Sequence, residues 1–89
     1  MIQVTAIHMV GGDRHEHIGE MKWLDTAQGG GGTSTREAMV KFVRQYPNVA
    51  FVQGPTQSAY LRVREAQPPY VQTYADNTWT DNLLSLPRY

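Results

Sequence analysis

Apolar and polar residues alternate from Ile2 to Val10, with Ile2, Val4, Ala6, His8 and Val10 on one side, and this period of two predicts a β-strand. Gly11-Gly12-Asp13 suits a tight reversal, and the chain then alternates again from His15 to Leu24. A reversal centred on Gly12 and Asp13 pairs Ile2 with Trp23, Val4 with Met21 and His8 with His17. That register collects Ile2, Val4, Ala6, Val10, Met21 and Trp23 on one buried face, and a slip of one residue would scatter them. The stretch from Asp25 to Thr33 contains four consecutive glycines and reads as a flexible loop. Ser34-Thr35-Arg36-Glu37 then has the form of a capping box with Ser34 as the N-cap, and Met39, Phe42, Val43 and Tyr46 follow at helical spacing until Pro47 stops the helix.

Beyond the helix the period returns to two. Val49 to Val52 is a short strand and Gly54 to Ser58 a turn, while Tyr60 to Arg64 and Tyr70 to Tyr74 are two further strands around a loop marked by Pro68 and Pro69. The pattern predicts an α+β fold as a single domain over residues 1–89: an antiparallel sheet in β-β-α-β-β-β order with one helix packed on it. Residues 81–89 read as a C-terminal latch, with Asp81 opening a short turn that places Leu83, Leu84 and Leu86 over the open end of the core.

Composition narrows the function classes. Eight Lys and Arg balance eight Asp and Glu, so the chain lacks the basic excess from which coating of nucleic acid or anionic lipid draws its affinity. With no cysteine there is no disulfide framework, thiol nucleophile or thiolate metal site, and the apolar runs are too short to span a membrane. The N-terminus lacks the basic start and long apolar stretch of a signal peptide, which predicts a cytoplasmic protein.

Two clusters carry candidate chemistry. His8, His15 and His17 converge at one end of the first hairpin in the predicted register, the ligand number of an open zinc site. A bare His-x-His is far less specific than His-Glu-x-x-His, and histidines beside a turn commonly bond to backbone or carboxylates, so no metal and no cofactor is the favoured expectation. On the second hairpin, Tyr60, Arg62 and Arg64 share one strand face, as do Tyr70, Gln72 and Tyr74 on the next strand. Where these faces coincide they form an aromatic–arginine surface fit to bind a macromolecular partner, protein ahead of nucleic acid; the bland alternative is a solvated face of tyrosines packed on arginine stems. Hydrolase chemistry finds no footing: Ser34, Ser58 and Ser85 lie outside any Gly-x-Ser-x-Gly, and the glycine run lacks the lysine of a phosphate-binding loop.

The segments Gly11-Gly12, His15-Glu16-His17-Ile18 and Trp23, and above all the run from Tyr70 to Asn77 with Thr80-Asp81-Asn82-Leu83-Leu84-Ser85-Leu86-Pro87, resemble a family of small bacterial and bacteriophage proteins classed as a domain of unknown function. The resemblance spans nearly the whole chain. Asn77 stands where that family usually has glycine, and the glycine-rich stretch before the helix reads as an insert. The resemblance implies a cytoplasmic bacterial or phage setting and no mechanism. The expected function is that of a non-enzymatic protein-binding module. The alternatives are a metal-binding protein or small enzyme centred on His8, His15 and His17, and an oligomeric structural or nucleic-acid-associated accessory protein.

Overall fold

A computed structural model describes all residues, 1–89. The strands are β1 (Ile2–Met9), β2 (Ile18–Asp25), β3 (Gly31–Thr35), β4 (Ala50–Gln53), β5 (Ser58–Arg64), β6 (Tyr70–Ala75) and β7 (Thr78–Thr80). The helix α1 (Arg36–Gln45) lies between β3 and β4, and one 3-10 turn spans His15–His17. All seven strands form one sheet in the order β3-β2-β1-β4-β5-β6-β7. It consists of two antiparallel meanders joined where β1 and β4 run parallel, so the sheet is mixed. The α+β class matches the sequence reading, but the strand count and the wholly antiparallel sheet do not. A parallel neighbour needs a long crossover, and the β3-α1-β4 connection supplies one.

The helix touches β2 and β3 on one flank and β5 and β6 on the other, so the sheet curls around it. Met39, Val40 and Val43 of α1 meet Val4, Ile7, Ile18, Met21, Val52, Leu61 and Val71 inside that curl, with Leu83 sealing the end. No helix is long and apolar enough to cross a membrane.

The first hairpin departs from the expected register. Ile2 pairs with Asp25, Val4 with Trp23 and His8 with Glu20. The ladder shifts between Val4 and Ala6 and again between His8 and Met9. Each shift inserts an unpaired residue, Thr5 on β1 and Gly19 on β2, and an unpaired residue reverses which parity faces inward. Val4 and Ile7, three apart, are therefore both buried, while His8 is exposed and Ala6 is not part of the core.

The glycine-rich stretch is more ordered than a linker. Gly29 and Gly30 take positive φ angles of 78° and 80° in a turn that the Asp25 carboxylate organises by accepting from the Ala27 and Gln28 amides. Those two amides hold the Asp25 carboxyl below its usual pKa. From Gly31 the chain is strand β3, so the loop expected over 25–33 ends three residues early. A Cβ at Gly31 would collide with the Trp23 carbonyl, which explains a glycine inside a strand. Ser34 belongs to β3, where its Oγ accepts from Trp23 Nε1 at 3.0 Å. The helix cap is Thr35, whose Oγ1 accepts from the Ala38 amide at 3.1 Å.

After β6, Asp76 and Asn77 have φ angles of 53° and 61°, the mirror-image turn that closes a two-residue hairpin, and β7 follows. The tail then folds back over the core. Ser85 N donates to Asp81 O at 3.0 Å, and Leu83 is fully buried. The buried Thr73 hydroxyl anchors this return: it donates to Thr80 O at 3.1 Å and accepts from Thr80 Oγ1 at 2.8 Å and Leu83 N at 3.3 Å. Residues 87–89 reach β1, where Ile7 N donates to Pro87 O and Tyr89 N to Ile7 O. Tyr89 stacks near His8 and donates to Glu20 at 2.9 Å; burial first, then that carboxylate, pushes its phenol pKa up to about 12.

Two stability measurements test these assignments. Thr73→Val keeps the shape but strands Leu83 N–H and Thr80 O–H, and denaturant unfolding should show a loss of about 1–3 kcal/mol. Thr35→Ala should cost about 1 kcal/mol through the lost cap, and an unchanged midpoint would show that the helix start is held some other way.

Candidate functional site

The strand parity that buries Leu61 and Val71 turns their neighbours outward. In the β5–β6 ladder Tyr60 pairs with Tyr74, Arg62 with Gln72 and Arg64 with Tyr70, so the two expected faces coincide on the outer side of the sheet. The structure brings Tyr60, Arg62, Arg64, Tyr70 and Tyr74 onto one surface, and β7 adds Trp79 opposite Tyr74.

The side chains there are organised. The Arg62 guanidinium lies 4.2 Å from the centre of the Tyr74 ring, and that of Arg64 lies 4.3 Å from the centre of the Trp79 ring. Tyr74 and Trp79 meet edge to face, with centroids 5.1 Å apart. Arg64 Nη1 donates to Gln72 Oε1 at 3.0 Å, and Gln72 Nε2 donates to Thr80 O at 3.1 Å. The ring contacts hold both guanidinium groups and the relay holds Arg64 further, which lowers the side-chain entropy left to lose on binding. Trp79 and Tyr60 stay more than a third exposed.

The sequence reading missed Trp79. Its signal was the Asp76-Asn77 turn: two residues closing a hairpin place Trp79 directly across from Tyr74, on the same face.

The three histidines do not assemble. His15 and His17 sit on the 3-10 turn rather than on a strand, and His8 pairs with Glu20 instead of His17. His8 lies in the open beside Tyr89, with Nδ1 2.5 Å from the Tyr89 carbonyl oxygen. His17 Nδ1 accepts from Arg14 N at 3.3 Å. No group of three or more His, Cys, Asp or Glu is arranged to hold a metal ion. The bulges and the 3-10 turn are the physical reason, because they break the even alternation that convergence required.

His15 is the one buried histidine, and its Nε2 has no hydrogen-bond partner. Burial pushes its pKa below the usual value; the Asp81 and Glu16 carboxylates oppose that shift and the Arg64 guanidinium adds to it. Two clefts lie elsewhere. A polar one of about 410 Å³ separates the β4–β5 turn from Asp81, Asn82 and Ser85, and an apolar one of about 270 Å³ runs between α1 and Trp23.

His15 gives a pH dependence of definite sign. Above its unfolded pKa, near 6.5, the imidazole is neutral in both states and contributes no slope. As pH falls through that value the unfolded chain takes the proton first, so stability should drop and then level off below the lowered folded pKa. Denaturant midpoints measured between about pH 7.5 and about pH 4.5 should show this fall, and His15→Gln should flatten it. An unchanged slope in the variant would assign the titration to another group.

Comparison with known proteins adds one relationship. No curated protein and no solved structure matches the chain. A family model does match, over residues 3–87, a span that takes in the 3-10 turn, the outer face of β5–β7 and the returning tail: the chain belongs to the protein family of unknown function DUF3892.

Proposed function

We propose that this protein is a non-enzymatic binding module that docks a partner protein through the outer face of β5, β6 and β7. The observation that carries this reading is the pair of stacked arginines: two guanidinium groups held on aromatic rings, on a sheet face that the hydrophobic core does not use. Tyr, Trp and Arg are the residues that dominate binding energy at protein interfaces, and their enrichment on one face supports a docking role. Stacked rings and guanidiniums present area and directional donors with little rotamer freedom to lose. A metal-dependent enzyme centred on the histidines has no comparable support, since His8, His15 and His17 occupy separate surroundings. On the resemblance noted from the sequence, we extend the reading to the cytoplasm of a bacterium or a phage-infected host.

The two arginines differ in what they do for the fold. Arg62 makes only the ring contact, so Arg62→Ala should change stability by less than about 0.5 kcal/mol. Arg64 also covers the Gln72 amide, so Arg64→Ala should cost about 1 kcal/mol. Function is tested with a photo-crosslinking side chain in place of Tyr60, and a control in place of Lys41, which is exposed on the helix. In cells of the producing organism, the group at position 60 should yield a discrete protein adduct that Arg62→Ala removes, and the group at 41 should yield none. Equal yields from both positions, or an adduct indifferent to Arg62→Ala, would overturn the reading.

A further inference from the structure

We infer that the segment docked on this face is an extended, acidic stretch of the partner, with carboxylates at alternate positions aligned along β5. The inference rests on the docking role proposed above and specifies its ligand.

Charge is the first argument. The outer face carries Arg62 and Arg64, and neither is in an ion pair: the two salt bridges of the molecule are Arg36 with Glu37 and Arg44 with Glu65. The carboxylates nearest along the chain are engaged elsewhere. Glu65 holds Arg44 at 2.7 Å, and Asp76 accepts from Gln57 at 2.8 Å at the far end of the hairpin. A face with two cations that no carboxylate of the chain pairs with is complementary to an anionic ligand.

Donor geometry is the second. A guanidinium centred over a ring uses no N–H group on the ring itself in a conventional hydrogen bond, so its donors stay free for other acceptors. Arg62 donates to no group of the protein, and Arg64 spends one nitrogen on Gln72. Both retain the fork that grips a carboxylate through two parallel hydrogen bonds.

Spacing is the third and most specific. Arg62 and Arg64 alternate along one strand, which sets their Cα atoms about 6.5–7 Å apart. An extended peptide places its own alternate side chains at that same separation, so carboxylates two positions apart meet both forks without distortion. Adjacent carboxylates point to opposite sides of an extended chain and engage one fork at a time. Tyr60 lies beyond Arg62 on β5 and Tyr70 sits across the ladder from Arg64, where each can pack on the stems of the peptide's side chains.

The same count disfavours nucleic acid. Two phosphate contacts give a salt dependence with a log–log slope of only about −1.4 on a single strand, too few for a domain of zero net charge to hold a polyanion well. A single-stranded oligonucleotide is therefore the competing occupant in the test.

The experiment uses the full chain labelled with nitrogen-15. Its two indole N–H signals report separately on the outer face, through Trp79, and on the β2–β3 region, where Trp23 bonds to Ser34. Three blocked hexapeptides are titrated: one with two glutamates at alternate positions, one with the two glutamates adjacent, and one with glutamines in their place. A short oligothymidylate is the fourth titrant. The alternating peptide should move the Trp79 signal and leave Trp23 in place. It should bind at least about fivefold tighter than the adjacent peptide, and the glutamine peptide should not bind. Arg62→Gln should lower the affinity at least about tenfold with Trp23 unmoved, which shows that the variant is folded. Equal affinity for alternating and adjacent peptides, indifference to Arg62→Gln, or tighter binding of the oligothymidylate would each overturn the inference. If crosslinking at position 60 succeeds while no acidic peptide binds, the docking face stands and the acidic ligand falls; if crosslinking also fails, both fall.

Discussion

Two antiparallel meanders become one domain only because β1 is paired on both sides, and that seam is the constraint on which the rest depends. Along one side β1 runs against β2 for its full length. On the other side, β4 covers only the first part, with Ile2 and Gln3 paired to Ala50 and Phe51. The remainder would leave unpaired backbone groups beside a buried Ile7. The chain end fills this gap: Pro87 and Tyr89 bond to Ile7 on either side of Arg88. Arg88 in turn turns its guanidinium back to the Leu84 and Leu86 carbonyls, which pins the returning segment. A small sheet whose centre is completed by its own C-terminal tail has little tolerance for changes at that end, because every orphaned buried backbone group costs as much as a lost hydrogen bond.

What the sequence made legible was governed by alternation, and what it hid was governed by interruptions of alternation. The second hairpin is unbroken from Tyr60 to Arg64 and from Tyr70 to Tyr74, so the parity of each strand could be read directly, while the coincidence of their faces stayed conditional until the register set it. The first hairpin looks equally regular in sequence, yet unpaired residues at Thr5 and Gly19 shift its register and turn His8 away from His17. Thr5 has no composition signal, since threonine is an ordinary strand residue, whereas Gly19, a lone glycine inside an alternating run, is the one mark of a bulge that the sequence carries. The glycine run misled for the opposite reason. Conformational freedom argued for a mobile loop, whereas the Trp23 carbonyl and ring require small residues beside them at Gly31 and Gly32. Tertiary packing overrode propensity there, as it commonly does in edge strands.

The parallel seam was also beyond a strand-by-strand reading. Local pattern says which residues form strands, and neighbouring hairpins pair by default, but the partner of β1 across the helix is set by where the crossover returns. Once α1 lies in the curl, β4 joins the β1 edge and leaves the outer edge of β3 unpaired, and the two meanders then bend around the helix. This curl places the outer face of β5–β7 away from the helix layer, which is why its rings and guanidiniums remain available to solvent.

The candidate site and the closing segment are one construction. Gln72 and Thr73 are neighbours on β6 and point to opposite faces, yet both donate to the Thr80 carbonyl, at 3.1 Å each. On the outer side Gln72 holds Arg64 over Trp79; on the inner side the Thr73 hydroxyl holds the Leu83 amide and with it the return of the chain. Thr80 thereby fixes β7 from both faces of the sheet, and β7 carries the tryptophan on which Arg64 rests. The strand is only three residues long, too short to stay paired by its ladder alone. Its position depends on these two side chains, and so does the geometry of the stacked arginine beside it. The closing segment therefore does more than cover the core: the bonds that seat Leu83 also set where Trp79 stands, and an outer face organised for binding is a consequence of how the inner face is closed.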